Sequence, residues 1–191
     1  MACIIDSGRI VDCKDSLGGL KAVYIGNYID MVSQTAWLAA TSDTVTSIAG
    51  GAGDLADQTF YEFELRPELS SLVVNYQADA ASGTTFFEQV LSLTFQKLDA
   101  TDIATIKELC QGRPNIWVLD NNQKCWLIGA EFGCNVSGGN LQTGMAYSDM
   151  SGFTMDLTGR EQNPIWLATA GVLGVANYPL DNVTNALVAA V

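Results

Sequence analysis

Several stretches of this sequence alternate apolar and polar residues one by one, and this constrains the fold more than any other feature. From Phe153, the residues Phe153, Met155 and Leu157 fall on one side, with Thr154, Asp156 and Thr158 on the other. Tyr61, Phe63 and Leu65 likewise oppose Glu62, Glu64 and Arg66, and Leu91, Leu93 and Phe95 oppose Ser92, Thr94 and Gln96. A period of two sends successive side chains to opposite faces of a β-strand, so each segment has one dry face and one wet face. A helix cannot bury such a pattern, because its apolar stripe recurs every three to four residues. What wets the Asp156 side is therefore a functional question: bulk solvent, a substrate, or the inside of something larger that the chain helps to build.

Other segments extend the strand reading. Residues 20–30 carry β-branched and aromatic side chains and read as a strand, 44–48 as a short one, and 71–79 and 85–98 as longer ones. Pro67 stops the strand before it. The runs NIWVLD and KCWLIGAEF flank Asn121-Asn122-Gln123 as a hairpin. Residues 31–43 are ambiguous, and the Gly/Ser/Asn-rich 134–151 reads as a long loop. The apolar 164–179 reads as one or two strands broken at Gly171 or Gly174, and 1–18 as a weakly ordered N-terminal arm. One helix is signalled at about 100–111, with Asp99 or Thr101 as cap, Ile103, Ile106, Leu109 and Cys110 on one face, and Gly112 then Pro114 as its stop. The expected fold is mainly β: one domain over 1–191, a β-sandwich or partly closed barrel with a short α-helix packed alongside.

The surface this implies is unusual. Hydrophobic residues make up 48% of the 191 and charged ones 16%, the latter well below the usual quarter. A charge-poor surface suits a protein that partners cover. The balance of 21 acids against 9 bases leaves a net charge of −12. Proteins that grip nucleic acid neutralise phosphates with Lys and Arg, whereas no two basic residues here are adjacent. Attraction to nucleic acid is not expected, while a surface that repels it is compatible with this balance.

Catalytic equipment is sparse. The chain has no His, the usual base of hydrolases and the commonest transition-metal ligand. Neither S-x-x-K nor G-x-S-x-G occurs. The Gly-rich 48–57 lacks a P-loop ending, and Asp54 and Asp57 would repel phosphate. Glu62 and Glu64 share a strand face and could serve glycoside hydrolysis, but an acidic wet face is the commoner meaning. Asp120-Asn121-Asn122 lacks the ligand series of a calcium loop and reads as a turn. The five Cys, irregularly spaced, suggest neither a disulfide framework nor a zinc site but reduced thiols. The opening residues do not read as a signal peptide, which makes the sequons at Asn135 and Asn182 chance matches, and no run approaches the roughly 18 apolar residues of a membrane span. The expectation is no enzyme, no cofactor, no metal and no membrane.

Within 130–168 a further pattern stands out: Gly144, Ala146, Tyr147, Asp149, Gly152, Phe153, Met155, Leu157, Gly159 and Glu161, following a Gly/Ser-rich stretch. It resembles the C-terminal part of bacteriophage tail-tube proteins and related virion structural proteins. The opening MACIIDSGRIVDCKDSLGGLKAVYIGNY resembles the openings of such proteins, and together the two cover about a third of the chain. The resemblance implies a virion structural subunit, made in the host bacterial cytoplasm, that forms rings, usually hexameric, stacked into a hollow tail tube. Its partners would be itself, other virion tail proteins, and genome DNA passing through without tight binding. An acidic lining suits that passage, which makes Glu62, Glu64, Glu88 and Asp156 the candidate lumen-facing or inter-ring acids. The alternatives are another ring or connector protein of the virion, or a carbohydrate-binding β-sandwich with aromatic stacking platforms; an extracellular adhesive module fits less well.

Overall fold

The computed structural model describes residues 14, 16–28, 58–169, 171, 173, 178–181 and 186–189. The strand expected at 44–48, the ambiguous 31–43 and most of the arm at 1–18 lie outside the described residues. In chain order the elements are β1 (Leu20–Gly26), β2 (Gln58–Glu64), β3 (Ser71–Asp79), β4 (Thr84–Gln96), α1 (Ala100–Gln111), β5 (Asn115–Asp120), β6 (Lys124–Ile128), β7 (Asn135–Gln142), β8 (Gly152–Glu161), β9 (Trp166–Thr169) and β10 (Ala186–Ala189). They form a six-stranded sheet in the order β10-β2-β1-β5-β6-β9 and a four-stranded sheet in the order β3-β4-β8-β7. Neither sheet closes on itself, so of the two expected architectures the sandwich is the one found.

The periodicity of each strand explains which layer it occupies. β8 is buried at Phe153, Met155, Leu157 and Gly159 and half-buried at the polar positions between them. It therefore has one face on the core and one open. β5 is buried at every position from Asn115 to Leu119, so its sheet must be covered on both faces. Ile116, Val118, Val23 and Ile25 pack between the sheets against Leu91, Leu93, Met155 and Leu157. On the far side of the larger sheet, Tyr24, Phe60, Trp117, Leu119, Leu127 and Leu180 form a second apolar layer. Each such side chain contributes about 1.5–3 kcal/mol when taken out of water.

The helix begins where expected. Asp99 accepts from the Ala100 N–H at 2.6 Å while the Asp99 N–H donates to Asp102 at 2.8 Å, a reciprocal cap. It ends with the Gly112 N–H donating to the Glu108 carbonyl at 2.9 Å. Its apolar stripe is only partly used. Ile106 and Leu109 pack on the inter-sheet core, but Ile103 remains 58% exposed and Cys110 is exposed.

Two segments depart from the sequence reading. Residues 135–142, expected as loop, form β7, antiparallel to β8 from Asn135↔Thr158 to Gln142↔Gly152. No apolar alternation marked it, because an edge strand needs only backbone pairing on one side. The second departure is β10, which runs parallel to β2 along the rim of the larger sheet.

Candidate functional site

The register places the four candidate acids on two different surfaces. Glu88 on β4 lies opposite Arg160 on β8, and Ser92 lies opposite Asp156. Both acids stand on the open face of the smaller sheet, together with Thr94, Thr154 and Thr158. Glu62 and Glu64 lie opposite Tyr24 and Ala22, which puts them on the far face of the larger sheet, beside the second apolar layer. The sandwich thus separates the pairs, and no single channel wall can hold all four through one face of one subunit.

The open face of the smaller sheet is polar but nearly balanced. Arg160 reaches across to Glu88, with its Nε at 2.9 Å and another guanidinium nitrogen at 2.8 Å from one carboxylate oxygen. Asp156 faces Gly138 on β7, where a side chain would sit 3.7 Å from its carboxylate. Ser137 and Thr158 share a hydroxyl hydrogen bond of 3.0 Å, and Thr154 donates to Asn140 at 3.0 Å. Along β4 and β8 the face therefore carries two acids against one base, set among small hydroxyl and amide groups.

The carboxylate that periodicity could have singled out is a different one. Glu161 continues the dry row of Phe153, Met155, Leu157 and Gly159, and it is 3% exposed. It accepts from the Glu131 N–H at 2.7 Å and from Gln89 Nε2 at 3.3 Å. Gln89, itself fully buried, also donates to the Pro164 carbonyl at 3.0 Å and accepts from the Gly129 N–H at 3.0 Å. Burial raises the Glu161 carboxyl above its ordinary value, against these hydrogen bonds, which lower it. The cluster pins residues 129–134 to the middle of β4 and the end of β8. Gly133 turns that segment at φ +74°, where a Cβ would lie 2.5 Å from the Arg113 carbonyl. Arg113 in turn covers the Tyr28 ring at 3.9 Å, and the Tyr28 hydroxyl donates to the Glu131 carbonyl at 2.7 Å.

A second polar knot lies at the β5–β6 turn. Asp120 accepts from the Asn122 and Lys124 N–H groups, each at 2.8 Å, and from Trp126 Nε1 at 3.1 Å. This is the hairpin turn that the sequence anticipates, with both carboxylate oxygens engaged by N–H donors. The Asn122 side chain then clasps the Leu17 backbone, accepting from its N–H and donating to its carbonyl, both at 2.8 Å.

Reactive chemistry is scarce at these places. Burial pushes the Cys125 thiol up to about 12 and moves Cys134 upward too, so neither supplies a thiolate near neutral pH. Burial and the Glu62 carboxylate, 3.0 Å from the hydroxyl, likewise raise Tyr24. Among the described residues no group of three or more His, Cys, Asp or Glu side chains is arranged to hold a metal ion. No helix among them is long and apolar enough to cross a membrane. No protein-family model, curated protein or solved structure matches the chain.

Proposed function

We propose that this chain is a self-assembling structural subunit, and that its copies join into stacked rings forming a hollow tube of the kind found in bacteriophage tails. The observation that supports this most is the state of the smaller sheet's rims. β3 and β7 end the sheet on either side, and among the described residues no further strand pairs with either rim. β7, NVSGGNLQ, has no charge and no Pro, and β3, SLVVNYQAD, has a single charge at its last residue. Natural monomers blunt such rims with Lys, Pro, bulges or a covering element. Here β7 has one register shift, between Val136 and Gly138; α1 lies beside it across a groove lined by Ile106, Cys110 and Val136, and no other strand among the described residues pairs with its rim. Joining β3 of one copy to β7 of the next satisfies both rims and continues the sheet from subunit to subunit.

On this reading the open face of the smaller sheet lines the channel. Glu88 and Asp156 then face the lumen while Glu62 and Glu64 face outward. A wall of hydroxyls and amides with a slight excess of acid offers a polyanion few phosphate partners, so DNA slides without being held. The test is electron microscopy of the purified protein across a concentration series, with light scattering. Rings or hollow tubes are the expected result, and a monomer at every concentration removes the reading.

A further inference from the structure

We propose that the tip between β7 and β8 is a prebuilt knob, and that Met145 and Tyr147 of one copy seat in the cleft beside α1 of a second copy. The inference rests on the self-assembly reading and names one of its contacts.

The tip is held in shape by its own backbone. Asp149 accepts from the Met145 N–H at 2.9 Å and from the Ala146 N–H at 2.7 Å, and its own N–H donates to the Ala146 carbonyl at 3.0 Å. Those hydrogen bonds keep the Asp149 carboxyl below its ordinary value, hence ionised. Gly144 makes the turn at φ +73°, with no room for a Cβ, which would lie 2.8 Å from that of Asp149. The ordered turn holds its two largest apolar side chains outward: Met145 is 97% exposed and Tyr147 fully so. An aromatic ring carries 150–250 Å² of surface that favours burial, and nothing in its own turn covers it.

The recipient is a cleft of about 470 Å³ between the C-terminal half of α1 and the ends of β1 and β2. That volume lies within the ~300–1,000 Å³ of pockets that accept ligand-sized groups. Tyr61, Phe63, Leu109 and Pro114 give it apolar walls, while Glu108 and Arg113 supply the polar groups. Tyr61 is itself 56% exposed there. The chemistry is complementary. The knob offers a phenol and, at its base, one ionised acid; the cleft offers a carboxylate to accept from the phenol and a guanidinium to meet Asp149. The tip springs from the N-terminal side of α1, where the Lys97 N–H donates to the Ser151 carbonyl at 2.8 Å. Knob and cleft are therefore different patches of one chain. A contact between them is head-to-tail and repeats from copy to copy, as a ring or a stack requires.

The experiment mixes two variants, Ser148→Cys in the tip and Thr105→Cys in the cleft, each in a background with Cys3, Cys13 and Cys110 replaced by Ser, so that Tyr147 and Glu108 stay in place. The mixture is oxidised and run on a non-reducing gel. Ser148→Cys mixed with Lys124→Cys, exposed at the β5–β6 turn of the larger sheet, serves as control. The expected result is a disulfide-linked dimer forming about tenfold or more faster than in the control, because docking raises the local thiol concentration. Tyr147→Ala should also raise the concentration needed for assembly by about ten- to a hundredfold, the burial of one large side chain. Oligomers that form normally with Tyr147→Ala, and without cross-linking above the control, overturn the knob and leave the ring reading standing. Cross-linked copies that build no ring support the knob and remove the ring reading. A monomer with no cross-link overturns both.

Discussion

Glu161 and Gln89 meet between the two sheets, Oε2 to Nε2 at 3.3 Å, and neither side chain reaches solvent to any useful extent. Their contact ties the end of β8 to the middle of β4, each strand placing one polar group in its otherwise apolar inward row. The same two side chains hold residues 129–134, so one buried pair fixes a segment that has no regular structure of its own.

This pair makes the protein's stability depend on pH in a defined direction. Burial raises the Glu161 carboxyl above its unfolded value, which is about 4.3. The folded chain then keeps its proton to higher pH than the unfolded chain does. The resulting contribution is complete below the unfolded value and is lost as pH rises through the folded one. Urea midpoints of the wild type and Glu161→Gln, taken from acid to neutral pH, should show the wild type losing ground steadily. A difference that stays constant with pH sinks the assignment. Glu161→Ala should cost about 1–3 kcal/mol more than the Gln variant, since it leaves the half-buried Glu131 N–H and the buried Gln89 amide without this acceptor.

The uncovered rim of β3 can be closed deliberately. Asn75 and Gln77 are exposed on that strand, and Lys at both should block strand pairing between copies. Analytical ultracentrifugation is expected to show a monomer where the wild type assembles. Thermal unfolding of the monomer should move by only about 0.5 kcal/mol per substitution, as is usual for surface sites. Assembly by the double variant at the wild-type concentration would mean that the rim is not used.

Charge on the open face should govern what DNA does there. Asp156→Lys reverses the balance along β4 and β8 to two bases against one acid. Assembled protein carrying it should retain DNA in co-sedimentation at low salt and release it as salt rises, as phosphate contacts require. Ser92→Lys, at the position directly opposite, provides a second test on the same face. Retention by neither variant would mean that this face does not meet DNA.

The clasp on Leu17 is open to proteolysis. Asn122→Ala removes both side-chain hydrogen bonds to the Leu17 backbone. Cleavage between residues 14 and 20 should speed up several-fold, in proportion to the gain in local opening, while cleavage elsewhere stays as in the wild type. Unchanged cutting would show that the clasp does not hold the arm.

Much of the fold was legible because it rests on side-chain patterns. The alternation in β4 and β8 gave the correct dry faces, and the Asp99 cap with Gly112 bounded α1. In β2 both sides meet apolar layers, with Phe60 fully buried on the Glu62 side and Tyr61 56% exposed on the other. β7 escaped because its order comes from the backbone of β8 rather than from its own side chains. The helix stripe misled in the other direction: the spacing of Ile103 and Cys110 promised burial that the sandwich does not provide. The separation of Glu62 and Glu64 from Glu88 and Asp156 was invisible for a topological reason. Periodicity tells which side of a strand a residue takes, but only sheet order tells which outer surface of the molecule that side becomes. Glu161 could have been read from parity alone, since it occupies the next inward step after Gly159.

The parallel pairing of β10 with β2, Ala186 beside Gln58 and Ala189 beside Tyr61, bears on the order in which the molecule is made. A ribosome delivers β2 early and the strand that covers its rim well over a hundred residues later. Through that interval the larger sheet has an uncapped edge at Phe60 and Tyr61, and self-association there would compete with folding. In order of synthesis, β10 is the element that ends this exposure. Until it docks, β2 is available to any chain nearby; once it docks, the rims left for a neighbour on the smaller sheet are β3 and β7.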